Sequence, residues 1–250
     1  MQDEVDPGVA PESTPETQSP NPKSVRRRRV FKWTRWTTIE CELRRDKGPL
    51  LAGVDEVGRG LIAGPDGNVS VRLADGSILV TPSGMSKGIV TPEHLVVVDR
   101  KGAVLEGTLT PSSELRMHLR IYARRPDAKA VVHAHPPTAT GFAVAGESFM
   151  APVLPEVILQ MGAVPLVPYA TPGTDALADA MDPYLDHHDA LLLANHGATT
   201  LGATLTEAHH RMESLEHAAR ILLAARAVGR VRELNVADVD ALRSRHEDHR

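Results

Sequence analysis

Two imidazoles two residues apart are the first groups in this chain that could do chemistry. His133 and His135 close the apolar run Ala130-Val131-Val132. On a strand, alternate side chains share a face, so both rings point to one side, one pleat apart. Such a pair on rigid backbone suits a divalent transition metal. The same spacing fits two histidines on a solvated strand end, so partners elsewhere must decide. Other polar residues stand at the ends of expected elements: Asn68, Ser83, Ser112, Ser113, Glu114 and His196. His133, His135 and His196 with Glu114 make three imidazoles and one carboxylate, a four-ligand set typical of Zn²⁺. The hydroxyls and nearby N–H groups of Ser112 and Ser113, at a helix start, would form an anion site.

The elements that must position these groups follow from period and punctuation. Val69–Leu73 alternates as a strand, Ala74–Ser77 reads as a hairpin turn, and Ile78–Val80 is the return strand. Leu95–Asp99 is a further strand, so residues 68–106 read as an antiparallel meander. A helix runs from the Thr110–Glu114 region to about Arg124, with Leu115, Leu119 and Tyr122 on one face. Ala130–His135 is a strand. Short helices are expected at 138–145 and 155–161, a strand at 164–167, and a helix from Thr174 to about Tyr184. Ala190–Ala194 is a buried strand ending at Asn195-His196-Gly197. Thr206 is expected to cap a long helix to about Val228, with Ala208, Met212, Leu215, Ala219 and Leu222 as its apolar stripe. Residues 236–250 are a charged tail.

Composition bounds the class. The chain has 250 residues, 42% hydrophobic and 24% charged, enough for one large domain or two small ones and ordinary for a soluble protein. A formal net charge of -4 gives no reason to expect nucleic acid or an anionic membrane surface as partner. No apolar run is long enough to span a bilayer, and the acidic, Pro-rich start is unlike a secretory signal. The single cysteine, Cys41, excludes an intrachain disulfide. Cytoplasm is the expected compartment. Residues 1–30 carry Pro, Glu, Ser and Thr and then the run Arg26–Arg29; they bury too little to offset ordering entropy and read as disordered.

Two resemblances add to this reading. Gly53-Val54-Asp55-Glu56-Val57-Gly58-Arg59-Gly60 resembles the opening strand and turn of type 2 ribonuclease H, where the Asp-Glu pair helps bind catalytic metal ions; the likeness reaches back to about Trp33. The other carboxylates of that nuclease have no counterpart, and Asp55 and Glu56 alone cannot assemble a two-metal site. Residues 31–60 are therefore expected to be an atypical N-terminal segment. From about 60 to 229 the chain resembles the class II aldolase/adducin family, above all its L-fuculose-1-phosphate aldolases. The motifs that carry this are Gly67-Asn68-Val69-Ser70-Val71-Arg72, Thr81-Pro82-Ser83-Gly84, Pro111-Ser112-Ser113-Glu114, His133-Ala134-His135, Pro168-Tyr169-Ala170-Thr171 and Asn195-His196-Gly197.

The second resemblance implies a three-layer α/β fold over about 61–235, with a central, mainly antiparallel sheet flanked by helices. It implies one Zn²⁺ per subunit on His133, His135 and His196. Glu114 would be the fourth ligand, leaving the metal to act as general base when substrate arrives. Asn68, Ser83, Gly84, Ser112 and Ser113 would cradle the substrate phosphate, in a homotetramer with sites at subunit interfaces. The implied reaction is cleavage of a ketose 1-phosphate, of the fuculose, 5-deoxyribulose or methylthioribulose type, to dihydroxyacetone phosphate and an aldehyde. The residue types meet those needs: a Lewis acid for the enediolate charge, a carboxylate to move the proton, and a clamp to orient the carbons. Alternatives are a sugar-phosphate epimerase, a methylthioribulose-phosphate dehydratase or a non-catalytic adducin-like module. Where the aldolases carry a proton-donating Tyr, this chain has Pro155-Glu156, which makes Glu156 a candidate for proton transfer.

Blander roles compete for single residues. Asn68 could support a left-handed turn, Ser112 could only cap a helix, and Glu114 could only face the helix dipole. His118 is an alternative ligand but reads better as a surface or core residue. His209, His210, Glu213 and His217 read as a solvated helix face, and His187 and His188 as structural or exposed.

Overall fold

A computed structural model describes residues 60–247. The expectations for the Pro-rich start, the arginine run and the ribonuclease-like segment up to residue 59 lie outside the described residues. Strand β1 (Asn68–Arg72) turns through Asp75 and Gly76 into β2 (Ile78–Val80). Asp75 Oδ1 accepts the Ser77 N–H at 2.9 Å, and Gly76 takes a φ of 83°, which costs glycine little. Strands β3 (Val96–Val98) and β4 (Val104–Glu106) complete the meander. Helix α1 (Leu115–Arg124) leads into β5 (Ala130–Ala134), α2 (Pro137–Val144) and α3 (Pro155–Gln160). Strand β6 (Leu166–Val167), α4 (Asp175–Leu185), β7 (Ala190–Leu193), β8 (Gly197–Gly202), α5 (Leu205–Val228) and α6 (Val236–Glu247) follow.

The eight strands form one sheet in the order β4-β3-β2-β1-β5-β8-β7-β6. Every neighbouring pair is antiparallel except β6 with β7. The alternation of side chains along each strand separates two cores. Val69, Ala130, Val132, Leu192 and Ala198 face α2, α3 and α5. Ile78, Val80, Val131, Leu191, Leu193 and Leu201 face α1 and α4. This is the expected three-layer, mainly antiparallel α/β architecture. Each fully buried Leu, Ile or Val contributes about 1.5–3 kcal/mol by leaving water, so both layers hold the sheet firmly. No helix among the described residues is long and apolar enough to cross a membrane.

Four details differ from expectation. Residues 197–202 form β8, a central strand that was not foreseen. Its Ala-Thr-Thr run lacks clear alternation, and all six residues are buried. The long helix is capped by Thr204, not Thr206: Thr204 Oγ1 accepts the Glu207 N–H at 3.1 Å. The segment expected as a charged tail is helical over Val236–Glu247, started by Asn235 Oδ1 accepting the Asp238 N–H at 2.9 Å and anchored by buried Val239. On α5, His210 and His217 are exposed as expected, but His209 is buried, because it neighbours the apolar stripe at Ala208 and Met212.

Candidate metal centre

Three strands meet where the polar residues stand. Asn68 at the start of β1 pairs with His133 on β5, and His133 pairs with Thr199 on β8. His133 shares the face of Val131, so its ring points toward α1, as does His135 one pleat on. His196 sits in the hairpin between β7 and β8, where Asn195 adopts a left-handed φ of 55° that asparagine tolerates. Gly197 is required there: a Cβ would lie 2.5 Å from both the Ala134 carbonyl oxygen and His135 Cδ2. Gly67 plays the same part on the other side, since a Cβ would lie 2.7 Å from the His133 carbonyl oxygen. Side-chain-free backbone on both flanks lets β1 and the β7–β8 turn close around the two strand histidines.

The three rings surround one point. Their centroids lie 5.0 Å (His133–His135), 4.7 Å (His133–His196) and 5.1 Å (His135–His196) apart. One ligand nitrogen from each lies within 4.8 Å of the others. His133 Nε2 and His135 Nε2 are 3.2 Å apart, close to the roughly 3.3 Å that two nitrogens at zinc bond length make in a tetrahedron. His133 Nδ1 donates to the Ala198 carbonyl at 2.9 Å, so in the neutral ring Nε2 keeps its lone pair for the cluster. Burial, with His133 and His196 acting in the same direction, pushes the His135 imidazole down to about 4. It is then neutral at pH 7, the form that binds metal.

Glu114 reaches two of the three rings. Its Oε2 lies 3.1 Å from His133 Nε2 and its Oε1 3.1 Å from His196 Nε2. Burial alone would raise this carboxyl, but His133 and His196 outweigh it and hold the group well below the usual carboxylate range. The ionised carboxylate and three imidazoles are a donor set that fits Zn²⁺ or a similar divalent ion. Glu114 occupies the N-cap position of α1, yet its side chain caps nothing. Its N–H donates instead to Ser112 Oγ at 3.2 Å.

The expected phosphate residues divide into two groups. The loops Thr81–Gly84 and Pro111–Ser113 are joined by a bridge at Pro82 and Pro111, with Ser83 N–H donating to the Thr110 carbonyl (2.9 Å) and Ser112 N–H to the Thr81 carbonyl (3.2 Å). Ser83, Gly84 and Ser113 are exposed on this joined edge, while Ser112 is buried. Asn68 behaves differently: its amide is buried, donating to Glu114 Oε2 at 2.8 Å and bonded through Oδ1 to His118 Nε2. Glu156 is exposed on α3, whose Val157 packs into the core on the other side of the sheet, and it does not join the imidazoles within one chain.

Two groups have bonding roles that the sequence reading did not assign: His118, expected as a surface or core residue, and Glu216. His118 is wholly buried and bonds Asn68 and Ser70. Glu216, on the buried side of α5, accepts the N–H groups of Thr138 (3.0 Å) and Ala139 (2.9 Å) at the start of α2. A carboxylate there satisfies orphan donors and complements the helix dipole. It thereby pins the Pro136-Pro137 turn directly after His135. Spacing on α5 could have flagged Glu216, which falls four positions after Met212 and three before Ala219, on the stripe that was expected to be apolar.

Comparison with known proteins shows the family of the chain. Residues 55–223 match the family model for the Class II Aldolase and Adducin N-terminal domain. A 3-oxo-tetronate 4-phosphate decarboxylase of Escherichia coli (strain K12) is 38% identical over 168 residues, covering 66% of this chain and 79% of that protein. A 5-deoxy-D-ribulose 1-phosphate aldolase of Bacillus thuringiensis serovar kurstaki is 32% identical over 210 residues, covering 83% and 98%. The crystal structure of L-fuculose-1-phosphate aldolase from Thermus thermophilus superposes with a TM-score of 0.66 at 34% identity, covering 74% of this chain and 95% of that one.

Proposed function

The chain belongs to the class II aldolase and adducin family, and from that membership we propose that it is a metal-dependent lyase that breaks a carbon–carbon bond in a phosphorylated keto sugar. The observation that carries this is the convergence of His133, His135 and His196 with the ionised Glu114 beside them. A Zn²⁺ ion held by these groups would supply Lewis acidity to the charge that develops on substrate oxygens as the bond breaks. Glu114 serves as the proton-moving group. It is an anion in the resting site, and it takes a hydroxyl proton once substrate draws it away from His133 and His196 and lies within hydrogen-bond reach. The joined loops hold the phosphate through the Ser83 and Ser113 hydroxyls and the Gly84 and Ser113 N–H groups. Ser112 buttresses Glu114 from below, and Asn68 holds the carboxylate through its amide. A clamp on the phosphate orients the bond to be broken. The active assembly is a homo-oligomer, which would bring a proton donor to the leaving group from a neighbouring subunit.

Aldol cleavage of a ketose 1-phosphate to dihydroxyacetone phosphate is the first reading, supported by the Ser112-Ser113-Glu114 motif and by the aldolase relatives. Decarboxylation of 3-oxo-tetronate 4-phosphate is the second. It is favoured by the 38% identity to the decarboxylase and by Pro155-Glu156, which lacks the aldolases' Tyr at the leaving aldehyde. Both reactions leave an electron pair on carbon beside a carbonyl, so one site chemistry serves either. Incubating zinc-loaded protein with fuculose, 5-deoxyribulose and methylthioribulose 1-phosphates and with 3-oxo-tetronate 4-phosphate, with products followed by NMR, tests the proposal. Dihydroxyacetone phosphate plus aldehyde supports the first reading and carbon dioxide the second. Intact substrates throughout refute both.

A further inference from the structure

We propose that His118 is a positioning residue that, through Asn68, fixes the Glu114 carboxylate against the three-histidine cluster. The inference rests on Glu114 being a metal-site carboxylate, as read above. Along β1, Asn68, Ser70 and Arg72 point to one face. Along α1, Glu114, His118 and Tyr122 form one stripe. Four helical residues rise about 6 Å and two strand residues about 6.6 Å, so the two rows run in step. They interlock rung by rung. Asn68 Nδ2 meets Glu114 Oε2 at 2.8 Å, and Asn68 Oδ1 meets His118 Nε2. Ser70 Oγ then meets His118 Nδ1 at 2.6 Å and the Tyr122 hydroxyl at 2.8 Å. Arg72 closes the far end, its guanidinium 4.7 Å from the Tyr122 ring centroid and bonded to the Tyr122 and Arg125 carbonyls.

The chemistry of each group gives this chain a single direction. An ionised carboxylate only accepts, so Asn68 must turn its NH₂ toward Glu114 and its oxygen toward His118. That oxygen has no hydrogen to give, so His118 carries its proton on Nε2. In the neutral ring Nδ1 then accepts from Ser70, whose oxygen accepts from Tyr122. Burial, with His133 adding to it and Glu114 opposing, pushes His118 down to about 3, in keeping with a neutral ring. Every member donates toward Glu114. Without His118 the Asn68 amide loses its anchor and can turn its oxygen toward the carboxylate, which repels it.

The test uses metal affinity as well as turnover. Zinc dissociation constants of the full-length protein would be measured by competition with a chromophoric chelator, beside kcat/KM. His118→Met, of similar length but without a donor, is expected to weaken zinc binding and kcat/KM roughly 10–100-fold. His118→Gln, which restores a donor near Nε2, is expected to recover most of both. In an Asn68→Ala background, His118→Met should add nothing, because its effect passes through Asn68. Equal losses in the Met and Gln variants, full additivity with Asn68→Ala, or wild-type zinc affinity in His118→Met would each overturn the assignment. Should His118→Met fail to fold, Ser70→Ala carries the test: a smaller loss of zinc affinity supports the proposal and an unchanged value overturns it. A wild-type protein that binds zinc but cleaves no substrate would defeat the proposed reaction alone, since the chelator measurement needs no substrate.

Discussion

The two faces of strand β1 carry opposite chemistry. Toward α1 it presents Asn68, Ser70 and Arg72, each bonded to a helix residue or helix carbonyl. Toward the other layer it presents Val69 and Val71, packed against an aliphatic core. The same division continues on β5, where His133 faces α1 while Val132 and Ala134 face away. One layer thus holds the site, and the other buries the aliphatic face of the sheet. Loss of a group on the polar side should therefore change chemistry first, and loss on the apolar side should change stability first.

The sharpest separation of the two is His196→Ala. This half-buried ring lies in a turn, so its removal should leave the fold intact while stoichiometric zinc and all turnover disappear, as elemental analysis and product assay would show. Glu114→Gln keeps the shape and removes the charge; kcat is expected to fall about 10²–10⁴-fold in protein that still folds. On the apolar side the order reverses. Met212→Ala, in a fully buried position on α5, should cost about 2–5 kcal/mol in denaturant unfolding while zinc affinity per folded molecule stays unchanged. A Met212→Ala protein of normal stability but weakened zinc binding would break the division.

Acid should act on the polar side alone. His118 and His135 sit at about 3 and about 4 when folded, below the roughly 6.5 of an unfolded histidine. Between those values the unfolded chain binds more protons, so stability rises with pH there. Metal-free protein should accordingly melt at falling temperatures as pH drops from about 6.5 toward 4, and Glu114, also depressed, adds to the loss below its unfolded value. Stability that rose on acidification would contradict the assignment of neutral buried rings. The smallest effect belongs to the outer surface of α1 and α4, where Arg116–Asp175 (2.9 Å), Arg120–Asp179 (2.7 Å) and Arg124–Asp186 form a ladder of exposed pairs. Arg124→Ala should leave the melting temperature almost unchanged, and any small effect should vanish in high salt.

The sequence made the ends of the site legible and left its interior hidden. His133, His135, His196 and Glu114 stand at element boundaries, where a polar residue next to an apolar run is conspicuous, and the structure brings all four together. The alternation of β1 and the stripe of α5 likewise foretold the layers. His118 was a different case. Its place between Leu115 and Tyr122 left a core position open, but its bonding depends on the helix lying in step with β1, a tertiary relation that no local period contains. Glu216 was obscured because, besides Arg220 on its own helix, its partners are the N–H groups at the start of α2. Strand β8 escaped because buried Thr199 and Thr200 read as polar, and α6 because its charges outnumber the apolar residues that dock it, Val239 among them.

The central claim is that three histidines and one glutamate form a single metal centre, and metal content per chain tests it most directly. Protein purified without chelator, or reconstituted with Zn²⁺ and dialysed, should retain one divalent ion per chain, and His196→Ala treated alike should retain none. A wild-type chain that holds no metal after reconstitution, or a His196→Ala chain that holds as much as wild type, would contradict it.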